Sequence, residues 1–518
     1  MFSSQERAGL SQHDVHHTGS LLGMSDSNTE MSITIHLKPA AIEQYQAELN
    51  ALFYKTPSDR AYLSSESLQQ YFVADEKGVK TLVNYLQSFG LQIQSVDIYK
   101  RLIVCNGNLD LFQRVFGIGF NDYKNELNHV YRVQDGEPNV PIELSNYISY
   151  IEGLHSIPLQ RSKASGTAQA SNSDTSTDAF LGYTPIELAE AYEFPEGDGD
   201  GETIGIIELG GTYIQSDMDK YFSDLGIETP TVYKVGVDAN DIIQNDLEVT
   251  LDIQVIGALL PKASLVLFYG NTLITAIKEA IYNPKFKPSV LSVSWAGSEF
   301  NYSRAELTEM NQLCYQAALL GITIVAASGD QGAFNSKNFL NVNVPASMPF
   351  VLACGGTKIN IQDGQNKEEI VWNELATKQG ATGGGYSARF AIPSYQHQAL
   401  EHYHMYQGNS MGVPDVAANA DASSGYKTLY KGRYFAEGGT SAATPVWASL
   451  LVRINQHLGY RLGHINEILY KQANTDVFRQ ITEGNNGHYP AASYWNPSTG
   501  LGSPKGKALL QSFNSLKS

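Results

Sequence analysis

Four nearly unbroken apolar runs alternate with helical stretches in the C-terminal two thirds of the chain. The runs are TIGIIEL (203–209), SLVLFY (264–269), VLSVSW (290–295) and ITIVAAS (322–328). Residues 217–225, 247–260 and 303–320 between them carry helical periodicity. Parallel strands covered on both faces require such runs, and strands that alternate with helices predict a doubly wound α/β sheet. Functional residues are expected beyond the carboxyl ends of those strands.

The N-terminal part has a different pattern. MSITIHL alternates like a strand from residue 31, and LQIQSVDIYKRLIVC is strand-like. Helical patterns cover 40–51, 64–72, 77–89 and 109–116, which predicts a compact α+β domain over 31–158. Residues 1–30 are polar and predict a disordered head. Residues 159–180 are rich in Ser, Thr, Ala and Gly and predict an exposed linker, an easy target for proteases, before a domain over 181–518.

Charge and cysteine content exclude several classes of function. Among 518 residues there are 35 Lys and Arg against 53 Asp and Glu, a net charge of −18. Such a surface repels phosphate backbones and anionic lipid, so we expect neither a nucleic-acid nor a membrane partner. No run approaches the ~18 apolar residues of a membrane span, and no standard signal peptide is recognisable. Cys105, Cys314 and Cys354 lie in apolar contexts that predict buried free thiols.

The string GGTSAATP carries the first candidate catalytic residue. Two glycines precede Thr440 and Ser441, and Pro445 lies just inside a long helical pattern. Ser441 is therefore expected to be exposed at a helix N-terminus, where free N–H groups stabilise negative charge. Such a position suits a nucleophile. The alternative is that Thr440 or Ser441 only caps the helix.

A serine nucleophile needs a base, and carboxylates are the candidates here. Glu248 and Asp252 are four residues apart on one predicted helix, and the same stripe continues with Val255 and Leu259. Two adjacent acids at the head of a buried stripe cannot both ionise cheaply, so one pKa should rise. Such a pair can act as a base in acid, where an imidazole would be protonated. The alternative is an exposed acidic pair.

Three further candidates follow predicted strands. Asp330 lies between glycines in SGDQGA, after ITIVAAS. It could stay protonated and donate to a tetrahedral oxyanion, or it could simply satisfy local N–H groups of a turn. Glu208 ends TIGIIEL and Trp295 ends VLSVSW. Both are candidates for a supporting network, or for packing at the rim.

These residues together resemble the sedolisin family of serine-carboxyl peptidases, and within it the kumamolisin-like members. The similarity extends from about residue 31 to the C-terminus through the motifs IIELGG, EVTLDIQVIGALLP, LSVSW, AASGD, PASMPFVLACGGT, GGGYS, GVPDVAANADASSGY, GGTSAATP, ITEGNNG and TGLGSP. The resemblance implies a subtilisin-like doubly wound parallel sheet preceded by an α+β, ferredoxin-like prodomain that inhibits the catalytic domain and is removed in acid. It implies Ser441 as nucleophile, Glu248 as general base, Asp252 as the acid that tunes Glu248, and Asp330 in the oxyanion hole. Glu208 and Trp295 would extend the carboxyl network.

The family's structural calcium site is where the sequence departs from the pattern. The resemblance implies two Asp ligands, but Gln480 and Asn496 occupy these positions, and Ala492 and Tyr494 replace intervening glycines. Because calcium affinity depends on carboxylate ligands, we expect a weak or absent metal site, with amide hydrogen bonds in its place.

The sequence thus predicts an acid-acting endopeptidase made as a zymogen, which acts on protein or peptide substrates. We expect an extracellular location, because acid proteases with prodomains usually work outside the cytosol. Two rivals stay open: a catalytically silent binding protein on the same fold, and an acid protease in which two carboxylates activate water and Ser441 only caps a helix.

Overall fold

The computed structural model describes residues 7–10, 19–125, 128–156, 181–236, 246–335, 337–402 and 408–516. The chain forms two compact units. The smaller one comprises Met1–Ala51, Leu63–Leu159 and Phe300–Gln312, and the larger one Leu52–Tyr62, Gln160–Glu299 and Leu313–Ser518. The predicted processing linker, 159–180, lies outside the described residues.

The smaller unit is built from short strands and helices in the N-terminal part of the chain. In chain order they are β1 (Arg7–Gly9), β2 (Ser20–Met24), β3 (Glu30–Leu37), α1 (Ile42–Asn50), α2 (Ser65–Phe72), α3 (Glu76–Ser88), β4 (Gln92–Asp97), β5 (Leu102–Asn108), α4 (Leu109–Phe116), β6 (Gly119–Lys124), β7 (Val130–Asp135), β8 (Asn139–Pro141), α5 (Ile142–Ser145) and β9 (Ile148–Glu152).

An antiparallel sheet in the order β4-β5-β3-β9 organises this unit, and α3 and α4 pack their apolar faces on it. This arrangement is the ferredoxin-like α+β fold that the sequence predicts. The expectation of a disordered head is wrong for β1 and β2, because β1 pairs with β8 and β2 with β6. Short polar strands are stabilised by backbone pairing with distant residues, and the local pattern carries no sign of those partners.

The larger unit contains the remaining elements. They are α6 (Pro185–Ala191), β10 (Thr203–Glu208), α7 (Gln215–Asp224), β11 (Val232–Val235), α8 (Asp246–Leu259), β12 (Ser264–Tyr269), α9 (Leu273–Ile281), β13 (Val290–Val293), β14 (Gly297–Ser298), α10 (Arg304–Leu319, whose first half groups with the smaller unit), β15 (Thr323–Ala327), β16 (Asn343–Val344), β17 (Val351–Gln362), β18 (Gln365–Val371), β19 (Gly385–Ala391), α11 (Ser394–His402), β20 (Ser410–Val413), β21 (Val416–Asn419), β22 (Tyr426–Tyr430), β23 (Arg433–Glu437), α12 (Thr440–Leu458), α13 (Asn466–Lys471), β24 (Phe478–Arg479), β25 (Ser503–Pro504) and α14 (Gly506–Asn514).

The main sheet of this unit has the order β11-β12-β10-β13-β15-β17-β18, with β21 also paired to β17. Its described pairs are parallel except β17 with β18. The four apolar runs are β10, β12, β13 and β15, as predicted, and all are buried. From β10 the chain first builds β12 and β11 on one side and then β13, β15 and β17 on the other. The switch in strand order therefore falls between β10 and β13, where such sheets hold their sites.

Each unit includes a segment that the sequence predicts to belong to the other domain. Phe300–Gln312, which begins α10, groups with the smaller unit. There Glu309 pairs with Arg101 at 3.1 Å, and both side chains are fully buried. Leu52–Tyr62, between α1 and α2, groups with the larger unit. The two domains are thus not strictly sequential along the chain.

The three cysteines are free and buried, as predicted from their apolar contexts.

Candidate active site

Ser441 is the second residue of α12, a helix of 19 residues that begins at Thr440. Gly439 precedes it with φ of 105°, a conformation that glycine adopts without strain. The GG pair therefore permits the sharp turn that the sequence predicts. Ser441 is not exposed as expected, because only 1% of its surface is accessible in the full-length chain.

Pro445 has a role that differs from the prediction. It is the sixth residue of α12 and lies inside the helix rather than in its first turn. A proline has no N–H, so the carbonyl of Ser441, four residues earlier, loses its helical donor. Ser294 takes that place, with its hydroxyl oxygen 3.2 Å from the Ser441 carbonyl oxygen. The same Ser294 oxygen lies 2.9 Å from both carboxylate oxygens of Asp252. One hydroxyl thus links the start of α12 to α8.

Asp252 and Glu248 lie one helical turn apart on α8, as predicted. Asp252 is completely buried. Burial, together with the neighbouring Glu248, raises the pKa of Asp252 well above its ordinary value, and the Ser294 contact offsets this only in part. The predicted acidic pair is therefore not a solvated face. Burial in this position therefore favours the protonated form of the Asp252 carboxyl.

Asp330 lies beyond the carboxyl end of β15 and is completely buried. Its Oδ1 accepts hydrogen bonds from the Thr440 amide at 2.7 Å and the Thr440 hydroxyl at 2.8 Å. Its Oδ2 is buried without a hydrogen-bond partner among the described residues. Burial raises the pKa of Asp330 to about 6, against the two Thr440 hydrogen bonds that lower it. Asp330 is thus attached to the residue before Ser441, and one of its oxygens remains available.

Glu208 and Trp295 meet across the switch point of the sheet. The Trp295 Nε1 donates to Glu208 Oε2 at 3.0 Å. Glu208 is fully buried, and this burial, followed by the charge of Asp252, raises the pKa of Glu208 well above its ordinary value. The pair that the sequence left open as rim packing is therefore a buried hydrogen bond beside the acids of α8.

Glu437 is a further carboxyl that sequence reasoning missed. It ends β23, immediately before the two glycines that lead to Ser441. It is 2% exposed, and its Oε1 has no hydrogen-bond partner among the described residues. Burial, and next the charge of Glu248, raises the pKa of Glu437 to about 8. The signal was its position directly before GGTS, where an apolar strand residue would be ordinary.

The packing of α8 explains why Glu437 and Glu248 influence each other. The Gln254 side chain on α8 both donates to and accepts from the backbone of Leu429 in β22, at 2.8 and 2.9 Å. β22 pairs with β23, and Glu437 stands opposite Tyr426 in that ladder. The helix that carries Glu248 and the hairpin that carries Glu437 are therefore fixed to each other.

The structure thus gathers most of the predicted residues around the start of α12. Asp252 reaches Ser441 through Ser294, and Asp330 reaches it through Thr440. The Ser441 hydroxyl has no hydrogen-bond partner among the described residues, so it is not hydrogen-bonded to Glu248, the predicted base. Catalytic hydrogen bonds often close only when substrate is bound.

Asn496, at a position where the family resemblance implies a calcium ligand, forms hydrogen bonds with protein groups on both sides of its amide. Asn496 Oδ1 accepts from the amides of Ser498 and Thr499 at 3.0 and 2.9 Å, which fixes the orientation of the side-chain amide. Its Nδ2 therefore points the other way, and it donates to the carbonyl oxygens of Ala492 at 3.0 Å and Ile481 at 3.4 Å. Each of these two carbonyl oxygens thus accepts one hydrogen bond from the Asn496 amide. Among the described residues, no group of three or more His, Cys, Asp or Glu side chains could hold a metal ion.

Two family models match this chain. Residues 19–157 match the Pro-kumamolisin activation domain, and residues 257–482 match the Subtilase family. The first match covers most of the predicted prodomain. The second includes the β15 turn and the start of α12.

Similarity to individual proteins covers nearly the whole chain. Kumamolisin from Bacillus sp. (strain MN-32) is 35% identical over 516 residues, which cover 94% of this chain and 92% of that relative. Human tripeptidyl-peptidase 1 is 24% identical and covers 95% of this chain and 92% of its own. Among solved structures, Pseudomonas sedolisin, a serine-carboxyl proteinase complexed with two molecules of pseudo-iodotyrostatin, aligns with a TM-score of 0.60 and 27% identity over 65% of this chain and 99% of that chain.

Proposed function

Because this chain belongs to the sedolisin family of serine-carboxyl peptidases, we propose that it is an acid-acting endopeptidase made as a zymogen. Its N-terminal activation domain inhibits the catalytic domain until the 159–180 linker is cut. Ser441 is the nucleophile, Glu248 the general base, Asp252 the acid that tunes Glu248, and Asp330 the oxyanion donor. Glu208 and Trp295 support the acids of α8.

One observation carries this assignment: several buried carboxyls with raised pKa values converge on the first turn of α12. Asp330 and Asp252 are each one hydrogen-bonded residue away from Ser441. A lone serine that caps a helix needs no such neighbours. Neutral carboxyls at these positions also explain why the enzyme should work in acid, since a donor to an oxyanion must hold its proton.

The chemistry follows from these positions. The Ser441 oxygen attacks the peptide carbonyl carbon while Glu248 takes the hydroxyl proton. The carbonyl oxygen becomes an oxyanion that accepts a hydrogen bond from protonated Asp330. Glu248 then gives its proton to the leaving amine, and an ester remains on Ser441. A water molecule attacks the ester with Glu248 again as base, which releases the acid product and restores the serine.

A peptide aldehyde and two serine variants test this mechanism. At pH 4 the aldehyde should form a hemiacetal on Ser441, detected as a covalent adduct on that residue in a crystal structure of the treated enzyme. Ser441→Ala should abolish peptide hydrolysis, whereas Ser449→Ala, which alters another buried serine of α12, should retain it. An active Ser441→Ala enzyme would support the water-activating rival. A wild-type chain with no hydrolysis after linker cleavage would support the silent binding protein.

Partners and location follow from the same premise. Protein or peptide substrates and the chain's own prodomain are the proposed partners. No helix among the described residues combines the length and apolar character needed to cross a bilayer. We propose an extracellular location, because acid activation requires a compartment other than the cytosol. Detection of the processed protein in the culture medium tests it.

We also propose that the C-terminal loops need no calcium. The Asn496 amide nitrogen supplies to the carbonyls of Ile481 and Ala492 the positive pole that a cation would supply. Gln480 adds a weaker contact, accepting from the Tyr494 amide at 3.4 Å.

A further inference from the structure

Leu52–Tyr62, called the anchor segment here, lies in sequence within the activation domain but groups with the larger unit. It follows α1 and precedes α2. Its residues do not contribute to the core of the smaller unit. The segment must therefore be explained by what it contacts in the larger unit.

Polar contacts hold the C-terminal half of the anchor segment. The Arg60 guanidinium donates to the carbonyl oxygens of His464 at 2.7 Å and Leu462 at 3.2 Å. The Tyr62 hydroxyl donates to the Leu462 carbonyl at 2.6 Å. Arg60 is only 8% exposed. A guanidinium that is buried in this way depends on these two carbonyl oxygens for its hydrogen bonds, so the contact is specific for this position.

Aromatic contacts hold the N-terminal half. The Phe53 ring lies 5.7 Å from the ring of Phe350, 5.9 Å from that of His464 and 6.0 Å from that of Tyr315, centroid to centroid. The adjacent Tyr54 is 90% exposed. One aromatic side chain of the pair is thus inserted and the other is left in solvent.

Two glycines of the larger unit make room for Tyr62. A Cβ atom at Gly321 would lie 2.6 Å from a Tyr62 ring carbon, and one at Gly463 would lie 2.5 Å from the Tyr62 hydroxyl oxygen. Both glycines have positive φ, 73° and 63°. Any other residue at either position would collide with the Tyr62 ring. The groove formed by Gly321, Leu462, Gly463, His464 and Phe350 is therefore shaped for a tyrosine and an arginine at this spacing.

This groove is far from the candidate catalytic residues. It follows the C-terminal end of α12, and Ser441 lies at the other end of that helix of 19 residues, about 28 Å long. The Thr323 hydroxyl, at the amino end of β15, donates to the Gly463 carbonyl, whereas Asp330 follows the carboxyl end of that strand. The groove and Ser441 therefore lie near opposite ends of α12.

We infer that this groove is a docking site for the activation domain, separate from the catalytic cleft, and that its occupant is the anchor segment. Once the linker is cut, the groove keeps the activation domain bound through Phe53, Arg60 and Tyr62. A substrate bound at Ser441 would not compete for this groove.

The test uses the full chain with Ser441→Ala, so that its outcome does not depend on the catalytic assignments. A recognition sequence for a separate, specific protease is inserted in 159–180, and the linker is cut at neutral pH. The N-terminal fragment is immobilised through a tag, and dissociation of the C-terminal fragment is followed by biolayer interferometry. Tyr62→Ala and Arg60→Ala should each raise the dissociation rate at least ten-fold. Tyr54→Ala, the matched control on an exposed tyrosine, should leave the rate unchanged.

Variants on both sides of the contact make the result interpretable. Gly463→Ala, which fills the position of the Tyr62 hydroxyl, should also speed dissociation. If Tyr62→Ala does not fold, as judged by thermal melting of the uncut chain, Tyr62→Phe and Arg60→Lys replace it with smaller expected increases. Equal dissociation rates for the Tyr62, Arg60 and Tyr54 variants would overturn the inference.

Discussion

The variant Asp330→Asn tests whether Asp330 must hold a proton in order to act, or whether a hydrogen-bond donor at the same position is sufficient. In the wild-type chain Oδ1 of Asp330 accepts from Thr440, and Oδ2 is buried without a partner among the described residues. An asparagine can keep its oxygen toward Thr440 and place its NH2 group where Oδ2 lies. It therefore donates to an oxyanion at every pH, whereas the aspartic acid donates only while protonated.

The pKa of Asp330, raised by burial to about 6, sets the expected size of the effect. At pH 8 only about 1% of such a group keeps its proton, so this group alone should lower wild-type kcat/KM about 100-fold between pH 4 and pH 8. Asp330→Asn should lose activity at pH 4, since an amide is a weaker donor, but it should lack that alkaline decline. Asp330→Ala, which removes the donor, should lose about 100- to 1000-fold at pH 4.

The assay is hydrolysis of a quenched fluorescent peptide from pH 3 to pH 8, after an added protease has cut the linker. This step makes activation independent of the variant's own activity. Urea unfolding gives a second readout. Because the pKa of Asp330 is raised from 3.8 to about 6, its protonated carboxyl stabilises the fold fully below pH 3.8. About 3 kcal/mol of the free energy of unfolding is then lost as the pH rises through 6. Asp330→Asn should not show that loss. An alkaline limb identical to that of the wild-type enzyme would refute the reasoning.

Three other predictions follow from buried groups. Burial and Glu248 raise the pKa of Glu437 from 4.5 to about 8, so its stabilising effect is lost as pH rises above 4.5. By pH 7 urea unfolding should show that Glu437→Gln has gained about 3 kcal/mol relative to wild type; parallel stability curves would contradict this. Burial, with Arg60 beside it, lowers the pKa of His464 from 6.5 to about 3, so the stability it contributes is complete above pH 6.5 and is lost as pH falls. Between pH 7 and pH 4.5 the wild-type chain should lose about 3 kcal/mol of its free energy of unfolding, whereas His464→Phe, which keeps a ring against Phe53, should not. Equal losses for the two chains in urea unfolding would contradict this prediction. In calorimetry the wild-type chain should have the same melting temperature in calcium and in chelator, whereas the double variant Gln480→Asp, Asn496→Asp should have a higher melting temperature in calcium. A lower wild-type melting temperature in chelator would contradict the calcium proposal.

The sequence predicts well those helices and strands whose burial requires a recognisable pattern of apolar and polar residues over a few neighbouring positions. The runs that became β10, β12, β13 and β15 are apolar on both faces because helices cover both sides of a parallel sheet. Cap residues such as Asn108, whose side chain accepts from the Leu111 amide, begin helices at the predicted positions. These signals act over a few residues, so they are readable without a partner.

The features that the sequence does not predict depend on distant partners. Ser294 follows a strand and has no special feature in the sequence. Its role arises because Pro445 has no N–H to donate to the Ser441 carbonyl, so that the Ser294 hydroxyl contacts this carbonyl. The position of Glu437 before GGTS is visible in the sequence, but its interaction with Glu248 is visible only once α8 is known to pack beside β22. The anchor segment is polar at its tip, and only the glycines at 321 and 463 reveal why Tyr62 leaves the smaller unit. Each of these needs the tertiary fold before its role is visible.

The orientation of Asn496 has a consequence for the conditions that the protein can tolerate. A metal held by aspartates leaves when those aspartates take up protons, and it also leaves when its concentration in the medium falls. An amide nitrogen is covalently part of the chain, has no proton to gain in mildly acidic solution, and cannot be diluted away. Under the calcium proposal, the hydrogen bonds from Asn496 to the Ile481 and Ala492 carbonyls would hold these loops equally at neutral and at mildly acidic pH, in media rich or poor in divalent ions.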